Sequence, residues 1–134
     1  MAAVAKAAKV SYDAESARRC VYLSGFFSAA NTAGKFGELD PVYIDSDGKV
    51  RGSDSTHLHF DGLAAVASDS DGNHPVTILG RGLIAQWLED SDNMTPGTFL
   101  YIGAAGAMDT ATSGATAPIA RAISDVEIVV LGPV

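Results

Sequence analysis

From Leu39 onward, short apolar runs alternate with turns rich in glycine and aspartate. Residues 42–44 and 49–51 flank a polar stretch at 45–48 that ends in Asp-Gly, a pair typical of tight hairpin turns. The apolar runs are too short for helices and have the length of strands. The pattern therefore predicts a mostly β fold, a small single-domain sandwich or barrel of short hairpins.

A second hairpin is predicted by the same pattern. Residues 63–67 and 76–79 are apolar and flank a polar stretch at 69–73. Residues 82–88 are expected to continue this sheet into an acidic loop at 89–92.

The order of these signals repeats in the second half of the chain. Tyr101 follows Tyr43 by 58 positions, Ile119 follows Leu63 by 56, and the final strands are offset by 51 or 52. Two similar β units are therefore expected to pack as one domain.

Residues 1–35 differ from the rest in being rich in alanine and serine. They are interpreted as an extended N-terminal arm, at least partly flexible when unbound, that precedes a β domain at 36–134. Within the arm, residues 11–19 are expected to form a short helical turn, with Glu15 and Arg19 at the spacing of an i,i+4 ion pair.

Composition supports one folded domain and excludes several classes of protein. The chain has 134 residues, of which 47% are hydrophobic, and a single cysteine, so it has a core to bury and no internal disulfide. No secretion signal is expected because Lys6 and Lys9 interrupt the leading apolar stretch, and no run is long enough to cross a membrane. Residues 1–35 carry a net charge of +3 and residues 36–134 a net charge of −10. The acidic body argues against nucleic-acid and membrane partners, whereas a basic segment favours an acidic protein surface.

The strongest candidate for chemistry is the run containing His57, His59 and Asp61. Alternate residues of a strand face one side, so these three side chains could bind one metal ion. Further ligands of a cupin-like site are not evident. The alternative, a solvated strand or an interface, is preferred.

Other catalytic and cofactor patterns are not found. The polar stretches at 45–48 and 69–73 lack the glycine and glutamate positions of an EF-hand, so they are interpreted as turns. No serine lies in a nucleophile elbow and no glycine-rich loop precedes a Lys-Ser or Lys-Thr pair. Trp87 and Tyr101 are expected to pack in the core. We therefore predict no enzyme, with no catalytic residue, no cofactor and no metal.

The sequence resembles the head decoration, or capsid cement, proteins of tailed bacteriophages, including the lambda type. The resemblance lies in residues 40–50, 60–67 and 75–82, and in a later Pro-Gly segment that begins at Thr95. It implies a small β fold that sits as a homotrimer at local three-fold positions of an expanded capsid and reinforces it. The implied partners are the major capsid protein and other copies of this chain, and the implied location is the outer surface of the virion, after synthesis in the host cytoplasm.

The resemblance also implies an N-terminal arm that orders on the shell. The residues expected to contact the shell are apolar, aromatic or basic: Val10, Tyr12, Arg18, Arg19, Val21, Tyr22 and Leu23. Deleting residues 1–20 is expected to abolish shell binding and spare the fold.

Two other functions stay open at this point. A head-fibre or receptor-binding module would use an exposed Trp87 and the acidic loop to bind a glycan. A small metal-dependent enzyme would use His57, His59 and Asp61.

Overall fold

The computed structural model describes residues 3–7, 10–29, 34–68, 75–88, 94–104, 106–110 and 117–132. These residues form a closed five-stranded barrel, a seven-stranded sheet and one short helix. The predicted mostly β fold is confirmed. No helix among the described residues is long and apolar enough to cross a membrane.

The barrel is built from neighbouring strands that are mostly antiparallel. Its strands are β3 (Tyr22–Ser28), β4 (Pro41–Ile44), β5 (Lys49–Gly52), β6 (Gly62–Ala64) and β7 (Pro75–Leu79). They follow the order β3-β5-β4-β6-β7, and β3 closes the barrel by pairing with β7 antiparallel and with β5 parallel.

The sheet contains strands from both ends of the chain. They are β1 (Ala3–Ala5), β2 (Ser11–Tyr12), β8 (Ile84–Gln86), β9 (Phe99–Ile102), β10 (Ala107–Asp109), β11 (Ala120–Ala122) and β12 (Glu127–Val130). Their order is β1-β10-β9-β11-β12-β8-β2. The helix α1 (Ala14–Arg19) lies in the chain between β2 and β3.

The first predicted hairpin is confirmed as β4 and β5. Its turn is fixed by Asp45, whose Oδ1 accepts hydrogen bonds from the Asp47 and Lys49 amides at 2.8 and 2.9 Å. Gly48 has a φ of +76°, a conformation that a side chain would disfavour. The turn therefore needs an aspartate that accepts backbone hydrogen bonds and a glycine that tolerates a positive φ.

The second hairpin is confirmed in part. β6 and β7 pair antiparallel, while the predicted turn at 69–73 and the acidic loop at 89–92 lie outside the described residues. The expectation that residues 82–88 continue this sheet is wrong, because β8 pairs with β12 and β2 instead. After β7, a turn at Arg81 and Gly82 carries the chain out of the barrel.

The predicted repeat is visible in the strand pairing. The pair Tyr43 and Arg51 in the barrel corresponds, 58 positions later, to Tyr101 and Asp109 in the sheet. The same offset relates β6 to β11, so Leu63 corresponds to Arg121, and the predicted match with Ile119 is wrong. The last strands, β7 and β12, are offset by 50 positions rather than by the predicted 51 or 52. The order β5-β4-β6-β7 in the barrel matches β10-β9-β11-β12 in the sheet. The two units thus share one topology.

Residues 1–35 were expected to form an arm, but their described part supplies strands to both units. β1 pairs with β10, β2 pairs with β8, and β3 forms a wall of the barrel. Apolar side chains explain this placement, since Val4 and Cys20 are buried in the core. Whether any of this segment is mobile before the chain meets a partner stays a prediction.

The two units have separate cores that meet at one face of the barrel. Val42, Val50 and Ile78 are fully buried inside the barrel. Leu63 and Leu79 point the other way and join the core of the sheet, which includes Trp87. Since strand side chains alternate between faces, β6 and β7 contribute to both cores.

Candidate functional site

The run of chain from Ser11 to Ser28 forms an exposed surface that we call the segment face. It comprises β2, α1 and β3. β2 pairs antiparallel with β8 at the edge of the sheet, and β3 pairs antiparallel with β7 in the barrel. Four large apolar side chains on it are exposed: Tyr12, Val21, Tyr22 and Phe27.

A β-bulge in β3 places Tyr22 and Phe27 on the same side. Residues five positions apart on a regular strand point to opposite faces. Between Leu23 and Phe26 the register with β7 shifts by one residue, and Gly25 within this bulge has a φ of +91°. Tyr22 is therefore 59% exposed and Phe27 41% exposed, while the two residues between them that flank the bulge are half-buried.

The short helix α1 projects two arginines from the middle of the segment face. Asp13 caps the helix by accepting a hydrogen bond from the Ser16 amide at 2.8 Å, and the Ser16 hydroxyl accepts one from the Ile84 amide at 2.9 Å. The predicted ion pair of Arg19 with Glu15 is confirmed, at 3.1 Å. Both Arg18 and Arg19 keep more than three quarters of their side chains exposed, so their guanidinium groups can reach a partner.

Most residues predicted to contact a shell are accessible on this surface, and two are not. Val10 is half-buried against the core of the sheet, and Leu23 packs against the core of the barrel. Phe27 was missed by the sequence reasoning. The signal for it is Gly25, since a glycine inside an apolar strand indicates a bulge.

Cys20 lies at the end of α1 and is buried. Burial raises the pKa of its thiol, while a hydrogen bond from the Gly80 backbone acts in the opposite direction. A thiol with a raised pKa is mostly protonated near neutral pH, so Cys20 has the character of a packing residue rather than a nucleophile.

The histidine cluster occupies an open pocket on the outside of the barrel, with a volume of about 620 Å³. The Tyr43 ring lies beneath it, with the His57 ring stacked at a centroid distance of 6.1 Å and the His59 ring tilted at 5.5 Å. Tyr43 as a whole is only 8% exposed, so it offers little accessible surface on which a sugar ring could stack.

The candidate metal ligands are engaged in other contacts. His57 Nδ1 lies 3.0 Å from Asp54 Oδ1, and Asp61 Oδ2 accepts a hydrogen bond from the Ile44 amide at 2.7 Å. Within the part of the chain that the structure describes, no group of three or more His, Cys, Asp or Glu side chains is placed to hold a metal ion. The run at 57–61 is an irregular segment beside β4 rather than the strand that the ligand spacing requires.

Two carboxylates near this pocket are held in their ionised form. Partial burial acts to raise the pKa of Asp45, but hydrogen bonds from the Lys49 amide and the Arg51 side chain outweigh it, and the pKa lies below its usual value. The pKa of Asp54 is likewise lowered, because hydrogen bonds from Thr56 and His57 exceed the opposing effect of burial. Both groups stabilise turns.

Trp87 does not form the exposed platform that a glycan-binding module would need. The indole is fully buried, and its Nε1 donates a hydrogen bond to the Val4 carbonyl at 3.1 Å. The prediction that Trp87 packs in the core is confirmed, and Tyr101 is half-buried. The segment face is therefore the better candidate for a functional surface.

Comparison with protein-family models, with curated proteins and with solved structures finds no match.

Proposed function

We propose that this chain is a viral structural protein that binds the outer surface of an expanded phage capsid and stabilises it. In this proposal it acts as a homotrimer at local three-fold positions, and the segment face contacts the major capsid protein. The observation that carries the proposal is the segment face itself, a run of exposed aromatic residues and arginines on an otherwise acidic protein. The resemblance to decoration proteins supports the choice of partner.

The chemistry of the segment face suits a protein partner. Tyrosine, phenylalanine and arginine are enriched in protein interfaces, because their side chains bury large areas and keep polar groups for pairing. Tyr22 and Phe27 supply apolar area on one side of β3. Arg18 and Arg19 can form charge-assisted hydrogen bonds with carboxylates of a shell.

Trimeric assembly strengthens a contact that is small in each copy. One segment face offers only a few large side chains, which favours weak binding. When three copies are joined, the second and third contacts form within one complex, and the avidity can rise by about 10²- to 10⁴-fold. The proposal therefore expects binding in multiples of three.

Co-sedimentation with expanded shells of the cognate virus tests the proposal. Wild-type protein is expected to saturate at a fixed copy number in multiples of three and to raise the temperature at which shells break. The variant Tyr22→Ser should weaken each contact by about 30-fold, the effect of losing one interface residue worth about 2 kcal/mol, so a trimer with three altered contacts should bind more weakly still. The double variant Arg18→Glu/Arg19→Glu should weaken binding in a salt-dependent way.

A matched control separates a specific contact from a general effect of charge. The double variant Lys35→Glu/Arg121→Glu changes the net charge by the same amount at exposed positions away from α1. It should retain near-wild-type binding. Equal loss in both double variants, or no binding of the wild type to shells before or after expansion, would overturn the proposal.

A further inference from the structure

The repeat shows that the sheet is completed by a strand from outside its own unit. In the barrel, β3 pairs with β7 and also with β5, which closes the ring. Its counterpart in the sheet is β8. Leu23 of β3 is the register partner of Ile78 in β7, and Ala85 of β8, 62 positions after Leu23, is the register partner of Ile128 in β12. Among the described residues β8 does not reach β10, the counterpart of β5. That side of β10 is occupied by β1.

The place that β1 occupies, between β10 and Trp87, is a slot with specific contacts. Val4 is 9% exposed and packs in the core of the sheet. Its carbonyl accepts the hydrogen bond from the buried Trp87 indole. The Lys6 amide donates to the Gly106 carbonyl, and the Lys6 ammonium group pairs with Asp40. The slot thus selects an extended strand with an apolar side chain followed, two positions later, by a cation.

We propose that this slot is a strand-acceptor site, and that in an assembly of this chain it receives residues 3–7 of a neighbouring copy in place of its own. The donated strand has the same sequence as the one it replaces, so every contact inside the slot is preserved. Exchange of an identical element between copies is a low-cost route to association for this reason. Only the connection between the exchanged strand and β2 has to change.

The length of that connection limits how the copies are arranged. In the chain as it stands, the Ala7 amide donates to the Trp87 carbonyl and Ser11 pairs with the adjacent Gln86. The four residue steps from Ala7 to Ser11 span at most about 14 Å when extended. An exchanged strand therefore requires a neighbour whose slot lies within that distance, as in a compact ring of copies. This inference concerns contacts between copies and does not depend on binding to a shell.

Cysteine cross-linking between two different variants tests the exchange. Ala5 and Ala107 are register partners on β1 and β10. In a Cys20→Ala background, one chain carries Ala5→Cys and the other Ala107→Cys. The two are mixed, unfolded in guanidinium, refolded together at high protein concentration and oxidised, and mixed-chain disulfides are measured by non-reducing electrophoresis and mass spectrometry. We expect a disulfide joining position 5 of one chain to position 107 of the other, at least tenfold above the same Ala5→Cys chain mixed with Ser24→Cys, a position on the exposed bulge.

The double variant Ala5→Cys/Ala107→Cys makes the result decisive. We expect it to form a disulfide within one chain after refolding at low protein concentration and covalent oligomers at high concentration. Disulfides confined to single chains at every concentration would overturn the exchange. Failure to form a disulfide either within or between chains, in protein that circular dichroism shows to be folded, would overturn the slot itself.

Discussion

Leu39 adopts a backbone conformation that leucine rarely takes, and the repeat explains it. Its φ is +62°, and the corresponding residue 58 positions later, Gly97, has a φ of +91°. The amides of both residues donate to equivalent carbonyls, those of Ala64 and Ala122, at 2.7 Å. The Leu39 side chain is fully buried. Leucine at this position therefore combines a strained backbone with a packed side chain.

This combination predicts an unusual order of stability for substitutions at Leu39. Leu39→Ala should cost about 2–5 kcal/mol through the cavity it leaves, and alanine keeps the left-handed strain of about 1–2 kcal/mol. Leu39→Gly loses a similar volume but relieves the strain. We expect Leu39→Gly to be as stable as Leu39→Ala or more stable, measured by urea unfolding. Leu63, also fully buried and without a positive φ, is the control, where alanine should be more stable than glycine. The same order at both positions would contradict the explanation.

At the residue scale the sequence predicted local features well. The Glu15 and Arg19 pair and the turn at Asp45 follow from spacing and turn chemistry within a few residues. The conformation of Leu39 could not be predicted, because nothing in its neighbours requires a positive φ. The exposure of Phe27 depends on a β-bulge at Gly25, where β3 has one residue more than the strand it pairs with. The sequence alone does not show that this partner is β7.

At the scale of elements, contacts close in sequence were predictable and distant ones were not. The hairpin of β4 and β5 and the pairing of β6 with β7 follow from alternation and turns. The placement of β1 depends on the contact between Val4 and Trp87, which lie 83 positions apart. The placement of β8 depends on its pairing with the distant β12, where Ala85 lies opposite Ile128. An alanine-rich segment carries too little periodicity to indicate such a contact. This is why residues 1–35 were interpreted as an arm.

The contacts of β1 predict that the N-terminal strand stabilises the fold, contrary to the expectation that deleting residues 1–20 spares it. Removing residues 1–7 loses the burial of the Val4 side chain, which contributes about 1.5–3 kcal/mol to the free energy of unfolding. It also leaves the buried Trp87 indole without a hydrogen-bond acceptor, which costs about 1–3 kcal/mol. We expect a clear fall in the urea midpoint and a red shift of Trp87 emission as water reaches the indole.

The exposed Val21 supplies a control for this deletion. Val21→Ala removes apolar atoms at a site that is 39% exposed and should change stability by less than about 0.5 kcal/mol. Val4→Ala should lie between Val21→Ala and the deletion. An unchanged midpoint and unchanged emission after the deletion would show that β1 contributes nothing to the fold.

At the scale of the whole molecule, the core of the sheet takes side chains from both repeated units. Leu63 and Leu79 extend from the barrel into the core of the sheet, while Ala64 and Ile78, next to them on the same strands, face the barrel interior. A single domain was predicted from length, and the repeat from the order of turns. The face at which the units meet could not be predicted, because three barrel strands, β4, β6 and β7, have apolar residues on both sides.

Because Leu63 and Leu79 of the barrel pack in the core of the sheet, both units should unfold in one transition, which a pair of equivalent substitutions can test. Val50 in the barrel core and Met108 in the sheet core correspond by the repeat and are both fully buried. Val50→Ala should cost about 1–3 kcal/mol. Trp87 lies in the sheet, but its emission should show the same fall in the urea midpoint as far-UV circular dichroism. The reason is that Leu63 and Leu79 leave the core of the sheet when the barrel unfolds. Met108→Ala should likewise lower the unfolding midpoint by the same amount in both signals. If Val50→Ala separates the two signals into distinct transitions, the barrel and the sheet are independent folding units and the leucines between them contribute little.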